Sequence, residues 1–497
     1  MDINKRIFSV IVCVNLLFNG TAFAQTMVKS LSLPQVIQLA KDQSLDSYVA
    51  RNKYIGSYWQ YRTYKADYLP SISLDATLPD LNRSIVRQLQ DDGTDKFVSQ
   101  KTLSNYGGLS ISQNVGFTGG ALSVKSELER VDLLDMEGES SSYRAIPLSL
   151  TYVQPLFAFN PYRWDRKIEP LKFEEAKKNY LAELEGIAQK AVDLFYDQML
   201  DQINLRMAET NYANADTIYK IAQGRYNIGT IAQNELLQTE LSFLNAGSSL
   251  NEARLNQEVS RARLRSFLGY NEKMDLNLVL SDEIPQFEVD VVKAKELALA
   301  NNPLMFGLKL EEMQAERQVA QARAENRFRA DLNASFGLNQ SGASLKKAYQ
   351  SPEDWERLRV GLSIPILDWG KGKGKYRIAQ SNREVARLSV RQSAVDFEQN
   401  VYLQVMRFNM QDEQLSIAIK ADAIAQSRYE VTKSRYFIGK VGVLDLNVAL
   451  TEKDQAKRAY VEALRRYWSC YYSVRKLTLF DFQNQVSLQQ NFDDILN

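Results

Sequence analysis

The stretch RYNIGTIAQNEL at 225–236 returns 210 residues later as RYFIGKVGVLDL at 435–446. Arg-Tyr-x-Ile-Gly is written twice, and neither copy carries the residues of a catalytic loop. The echo extends outward from the phrase. At the same offset Pro155 matches Pro365, Gln189 matches Gln399, Tyr219 matches Tyr429 and Arg265 matches Arg475. At an offset of 258, Leu39-Ala40 matches Leu297-Ala298, and Leu74 and Ala76 match Leu332 and Ala334. Self-similarity at a fixed spacing marks a tandem duplication. The two offsets differ by 48, so the first copy carries that many extra residues, between about Pro79 and Ile146. The reading divides the chain into a leader (1–24), a first copy (25–290), a second copy (291–480) and a C-terminal tail (481–497).

Each copy changes its period in the same order. Helical sequence at 35–67 and 292–326 gives way to alternation, and a much longer helical stretch follows. Ile72, Leu74, Ala76 and Leu78 interleave with Ser71, Ser73, Asp75 and Thr77; Leu332, Ala334, Phe336 and Leu338 interleave with Asp331, Asn333, Ser335 and Gly337. Returning strands carry Leu148, Leu150 and Tyr152 in one copy, and Leu358, Val360, Leu362, Ile364 and Ile366 in the other. One apolar and one polar face at period two is a strand signal, and each segment approaches the ~9 to 11 residues with which a tilted strand crosses a bilayer. Within the insertion at 80–145, Leu109, Ile111, Val115 and Phe117 precede FTGGA, and Leu122, Val124 and Leu128 follow it. This hairpin is expected as an extracellular extension, the alternative being extra barrel strands.

Composition removes many functions. Lys5 and Arg6, an apolar run from Ile7 to Phe18 and Ala22-Phe23-Ala24 read as a cleavable export signal. Without the leader, Cys470 is the only thiol, so no internal disulfide is expected, and basic and acidic residues balance to zero formal charge. That neutrality offers no broad basic surface for nucleic acid. The chain has no histidine, which removes Ser-His-Asp and Cys-His catalysis and every histidine-containing zinc site. Paired carboxylates at Asp91-Asp92 and Asp493-Asp494 read as solvated charge. No catalytic residue, cofactor or metal is expected. No apolar run reaches the length of a spanning helix, so an exported chain of this kind would cross a membrane as strands.

The helical stretch from Phe173 to Ile228 would be about 84 Å long if unbroken. Its seam runs Leu205, Ala208, Tyr212, Ala215, Tyr219, Ala222, Tyr226, in steps of three and four, which is coiled-coil spacing. Ascending helices are expected over 230–268 and 440–478. The repeated phrase lies where one helix ends and the next begins, with Gly229 and Gly439 turning the chain and Ile228 and Ile438 at the tip. Aromatic residues gather where the strands end, in QPLFAFNPYRWDRK and IPILDWGKGKGKYR; Phe157, Phe159, Tyr162, Trp164 and Trp369 are expected as an interfacial girdle. GKGKGK lacks the ending of a phosphate-binding P-loop and reads as a strand-to-helix connector.

With the duplicated helix-strand-strand-helix order, the strand ends Gln154-Pro155-Leu156-Phe157 and Ile364-Pro365-Ile366-Leu367, and the paired tips, the chain resembles the TolC-like outer-membrane efflux proteins. The resemblance implies an α+β membrane protein in the Gram-negative outer membrane. Its homotrimer would share a β-barrel, four strands per chain, continued by a long periplasmic α-helical coiled-coil barrel. It also implies a passive duct for efflux or type I secretion, fed by an inner-membrane transporter through a periplasmic adaptor. Lipid apart, no other partner is implied. A periplasmic adaptor or other coiled-coil interaction protein is the alternative, though one would carry a single hairpin and no girdled strands. Adaptor contacts are expected at Tyr226, Ile228, Gly229, Tyr436, Ile438 and Gly439. Asp445 matches an acidic position constricting the family's tunnel entrance, where Val448 replaces a second acid; Glu235 is its counterpart in the first copy. Helix-dipole compensation is the competing reading of both acids.

Overall fold

The computed structural model describes residues 28–90, 93–134, 140–270, 275–280, 285 and 287–496. The leader and Asp91-Asp92 lie outside them. The chain forms two compact units, each drawing on both sequence copies. One comprises residues up to Asn52, Tyr180–Ala300 and Asn400–Asp494; the other comprises Lys53–Asn179, Asn301–Gln399 and the residues from Ile495. Among the described residues no helix is long and apolar enough to cross a membrane.

Both copies open on a broken helix. α1 (Leu33–Gln43) and α2 (Leu45–Ala66) are interrupted at Ser44, and α5 (Val291–Asn301) and α6 (Pro303–Glu325) at Asn302. The repeat offset of 258 superposes Ser44 on Asn302, and each side chain caps the helix that follows. Ser44 Oγ accepts from Ser47 N at 3.1 Å, and Asn302 Oδ1 from Leu304 N at 3.0 Å. Such caps satisfy amides that the first helical turn leaves free. The expected single helices at 35–67 and 292–326 are thus pairs.

In the second unit, six strands form one antiparallel sheet in the order β2-β3-β4-β5-β7-β8. They are β2 (Ser71–Leu89), β3 (Asp95–Val115), β4 (Gly120–Leu133), β5 (Ser140–Leu156), β7 (Arg329–Gly342) and β8 (Glu353–Ser363), with helix α7 (Leu345–Ala348) between the last two. This corrects the expected four strands. The inserted hairpin is not an appendage: β3 and β4 lie between β2 and β5, and the FTGGA turn is held by the end of β5 and the residues after it, where Gln154 Nε2 donates to Thr118 O at 3.0 Å and Asn160 Nδ2 to Phe117 O at 3.3 Å. Its backbone groups find partners on both sides, as unpaired strand edges require. β8 stops at Ser363, before Pro365, so Ile364 and Ile366 do not extend it.

In the first unit, β1 (Val28–Leu31) pairs in parallel with β6 (Asp275–Leu278). Against them lies α3 (Pro161–Asn227), longer at its N-terminus than its seam suggested. Within this unit it buries Ala188, Ala191, Val192, Phe195 and Met199 at helical spacing. Gln202 closes the edge of β6: its Nε2 donates to Leu278 O and its Oε1 accepts from Leu278 N, both at 3.1 Å. α3 turns into α4 (Gln233–Phe267), where Tyr212 and Tyr219 of the seam stack on Phe243 at 5.2 and 5.9 Å. The second hairpin is α8 (Lys371–Phe437) and α9 (Val443–Thr478). The chain beyond α9 is held against this unit through β9 (Phe480–Asp481) and β10 (Val486–Ser487), with Phe480 and Phe482 buried; helix α10 (Phe492–Leu496) closes the described chain, with Asp493 and Asp494 exposed in its first turn.

A charged network lies in this core. Glu185 is 2 % exposed and receives Lys41 Nζ at 2.6 Å and Arg475 Nε at 2.8 Å. Arg475 Nη1 reaches Asp481 Oδ2 at 2.8 Å, and Tyr471 Oη donates to Asp481 Oδ1 at 2.5 Å. Burial opposes ionisation of Asp481, but the bonds from Tyr471 and Asn484 and the charge of Arg475 outweigh it, holding the carboxyl below its usual range.

Candidate tip, gate and membrane-facing sites

The two tips have one backbone geometry. Gly229 and Gly439 both have φ of 74°. Gly229 N donates to Tyr226 O and Thr230 N to Arg225 O; Gly439 N donates to Tyr436 O and Lys440 N to Arg435 O, all at 2.9 Å. These bonds satisfy the last carbonyls of α3 and α8 through a left-handed cap that glycine adopts without strain. Open space surrounds the position a Cβ would take at either glycine. Ile228 is 75 % exposed and Ile438 66 %.

The tyrosines of the phrase part company. Tyr226 is 40 % exposed, whereas Tyr436 is 3 % exposed, packed with Tyr429, Val443, Leu446 and Ala449. Tyr436 is therefore corrected from an open contact to a core residue of the second tip. Its cover comes partly from the first hairpin: the Arg225 guanidinium lies 5.6 Å from its ring centre and donates to Phe437 O at 3.3 Å. Burial raises the Tyr436 phenol above its ordinary pKa, with Arg225 opposing and the Glu235 carboxylate adding to the rise. Sequence gave no sign of the Arg225 contact, since Arg435 stands in the same phrase.

Glu235 is half-buried in the first turn of α4, after an Ala232 cap that offers no side-chain acceptor. Asp445 is exposed in the first turn of α9, and its Oδ2 accepts from Gly442 N at 3.3 Å. Both carboxylates stand at helix N-termini, where the dipole favours them.

The aromatic residues at the strand ends cluster within the second unit. Phe157 packs on Phe328 at 4.9 Å, Tyr162 on Tyr68 at 5.7 Å, Arg317 lies 6.0 Å from the ring of Phe159 and Lys167 5.7 Å from that of Trp164. Phe157 and Trp369 are exposed with φ of 62° and 54°, a left-handed backbone costing a non-glycine roughly 1 to 2 kcal/mol. Tyr61 and Tyr64 of α2 extend the cluster; Tyr61 stacks on Phe173 at 4.7 Å. Their density between Tyr58 and Tyr68 was the overlooked signal. The GKGKGK run opens α8, where Asp368 accepts from Gly370 N at 2.9 Å and Gly372 N at 2.7 Å, so a carboxylate occupies this helix N-terminus.

One face of the sheet is mostly apolar, with Glu356 of β8 standing on it opposite Phe336. Ile72, Leu74, Leu148, Leu150, Phe336, Leu358, Val360 and Leu362 are exposed on it. The opposite face is polar, with Ser73 bonded to Ser110 at 2.7 Å and Thr151 to Ser335 at 3.2 Å. The outer membrane efflux protein family model matches residues 57–270 and 295–478, one match for each sequence copy. The chain belongs to that family. Membership places it in the outer membrane with a periplasmic extension. It is 23 % identical over 257 residues to the alkaline protease secretion protein AprF of Pseudomonas aeruginosa, covering 50 % of this chain and 51 % of AprF. It is 24 % identical over 270 residues to the toxin and drug export protein A of Aggregatibacter actinomycetemcomitans, covering 52 % and 58 %. The chain thus spans about half the length of the curated relatives it matches. Its fold is that of the Campylobacter jejuni CmeC outer membrane channel, with a TM-score of 0.66 at 15 % identity over 93 % of this chain and 88 % of CmeC. The Vibrio cholerae outer membrane protein VceC superposes at 0.63 with 14 % identity, over 92 % and 97 %.

Proposed function

We propose that three copies of this chain form a passive export duct, taking substrates from an inner-membrane transporter and a periplasmic adaptor to the exterior. The observation that carries this reading is the amphipathic sheet with two open edges, since an open edge cannot stand in lipid. AprF and the toxin and drug export protein are named for secretion and export, which supports the same reading.

The duplication also supplies a closing contact. Arg225 of the first phrase covers Tyr436 of the second within one chain. In a ring where the two hairpins alternate, Arg435 of the second phrase meets Tyr226 and Asn227 of the next copy, covering the tyrosine left exposed in one chain. Detergent-extracted particles should have the mass of three chains. Cysteines at Arg435 and Tyr226, in a Cys470→Ser background, should be joined between chains by a short bis-maleimide. A soluble monomer would end the trimer reading, and three-chain particles that never cross-link would end the proposed contact.

Ile228 and Ile438 with Gly229 and Gly439 form the adaptor-binding surface, because apolar side chains exposed at a turn favour a covering partner; Tyr226 flanks it. Gly229→Asp or Gly439→Asp should reduce export at least tenfold while trimers still assemble: a side chain at a φ of 74° strains the turn, but a Cβ meets no neighbour at either site, so the strain stays local to the tip. Wild-type export by both variants refutes the assignment.

Asp445, with Glu235 as its counterpart in the first copy, forms an acidic ring at the threefold axis that favours cations. Asp445→Ala should raise resting conductance in planar bilayers severalfold and weaken cation selectivity at unchanged trimer yield. An assembled variant with wild-type conductance and selectivity leaves Asp445 as a helix cap alone.

A further inference from the structure

We infer that the inserted hairpin forms two staves of the membrane wall, so that three copies close an eighteen-stranded barrel. The inference rests on the proposed trimer. Its own support is the register of β3 and β4. Ile72 of β2 pairs with Ile111 of β3, Ile111 with Val124 of β4, and Val124 with Leu150 of β5; Leu150 then pairs with Phe336 of β7. Directly paired residues point to the same side of a sheet, so one apolar row crosses the inserted strands without interruption. The next row is polar throughout: Ser71, Ser112, Ser123 and Thr151 are successive partners, and Thr151 pairs with Ser335. A hairpin standing in water has no need of an apolar row in register with its neighbours. One lying in the wall needs it on the strands it joins, and the row stays apolar from β2 through β7. On β8 the partner of Phe336 is Glu356, so there the apolar face is carried by Leu358, Val360 and Leu362 instead.

The edges name the occupant. Among the described residues β2 pairs only with β3, and β8 only with β7. Six antiparallel neighbours leave β2 and β8 running in opposite directions, so β8 of one copy can pair with β2 of the next without breaking the alternation. Threefold closure then gives eighteen strands, an even number within the known range of outer-membrane barrels. Barrel diameter grows roughly linearly with strand number, so this wall is about 1.5 times as wide as one built from four strands per chain. Asp75, Lys125, Glu127 and Arg359 stand on the polar face and line a water-filled mouth of mixed charge.

Spin labels at Val124→Cys and Ser123→Cys, each in a Cys470→Ser background and reconstituted in lipid, test the inference. The label at 124 should collide preferentially with oxygen, which concentrates in lipid, and the label at 123 with a water-soluble nickel chelate. Equal access of nickel to both, in particles of three-chain mass, overturns the eighteen-stranded wall and leaves the trimeric duct standing. A mass other than three chains overturns the stoichiometry beneath it. Should a label prevent assembly, the staves of the unlabelled particle counted by electron cryo-microscopy decide: eighteen uphold the inference, and twelve overturn it.

Discussion

Arginine in place of Val124 should remove the assembled protein from the outer membrane. An arginine on the lipid face costs roughly 2 to 4 kcal/mol at the bilayer midplane, and a threefold assembly meets that cost three times. Val124 stands in the apolar row between Ile111 and Leu150, with no polar side chain on either paired position. Its neighbour Ser123 faces the other way, between Ser112 and Thr151. Ser123→Arg should therefore insert and assemble at wild-type yield, while Val124→Arg falls below a tenth of it in membrane fractions. Equal yields from the two variants would show that the row at Val124 does not meet lipid.

Arg475→Leu should be the most damaging single change in the first unit, costing about 3 to 5 kcal/mol, because it leaves Asp481 buried without its Arg475 partner and Glu185 with Lys41 alone. Thermal unfolding of extracted particles reads this as a large fall in midpoint. Replacing Glu185, Arg475 and Asp481 together by apolar residues should recover most of it, since a well-packed apolar cluster is often as stable as the ion network it replaces. The network also fixes a pH response. Asp481 ionises more readily folded than unfolded, so its contribution is complete above the ordinary carboxylate range and is lost as pH falls through its depressed folded value. The wild type should lose midpoint on strong acidification more steeply than the triple variant; parallel curves would place the acid sensitivity elsewhere.

What the sequence disclosed depended on how far apart the interacting residues lie. Gly229 and Gly439 were legible as turns because a helix end is decided within a few residues, and the alternation at Ile72 or Leu332 because strand faces are set by period. FTGGA was legible as a hairpin for the same reason. Its place between β2 and β5 was not, since strand order is decided by partners that local sequence does not name. Lys41 and Arg475 reach Glu185 across 144 and 290 residues, a separation at which no pattern signals contact. Tyr226 and Tyr436 are the sharpest case. They occupy one position in one phrase, yet only Tyr436 finds an Arg225 above it in its own chain. Ser44 and Asn302 were overlooked for another reason: a one-residue interruption leaves the apolar spacing on either side almost unchanged.

The β3-β4 hairpin bears on how such a wall can change over generations. The second sequence copy has no counterpart of it, so the two halves of the gene have diverged by one complete out-and-back excursion of the chain. An excursion of that kind returns the polypeptide to the side from which it left, and β5 still delivers α3 where an uninterrupted first copy would. Half of it, a single strand, would deposit α3 and everything after it on the wrong side of the bilayer. On the eighteen-stranded reading a hairpin is therefore the smallest insertion that can widen the channel while the helices beneath stay in place.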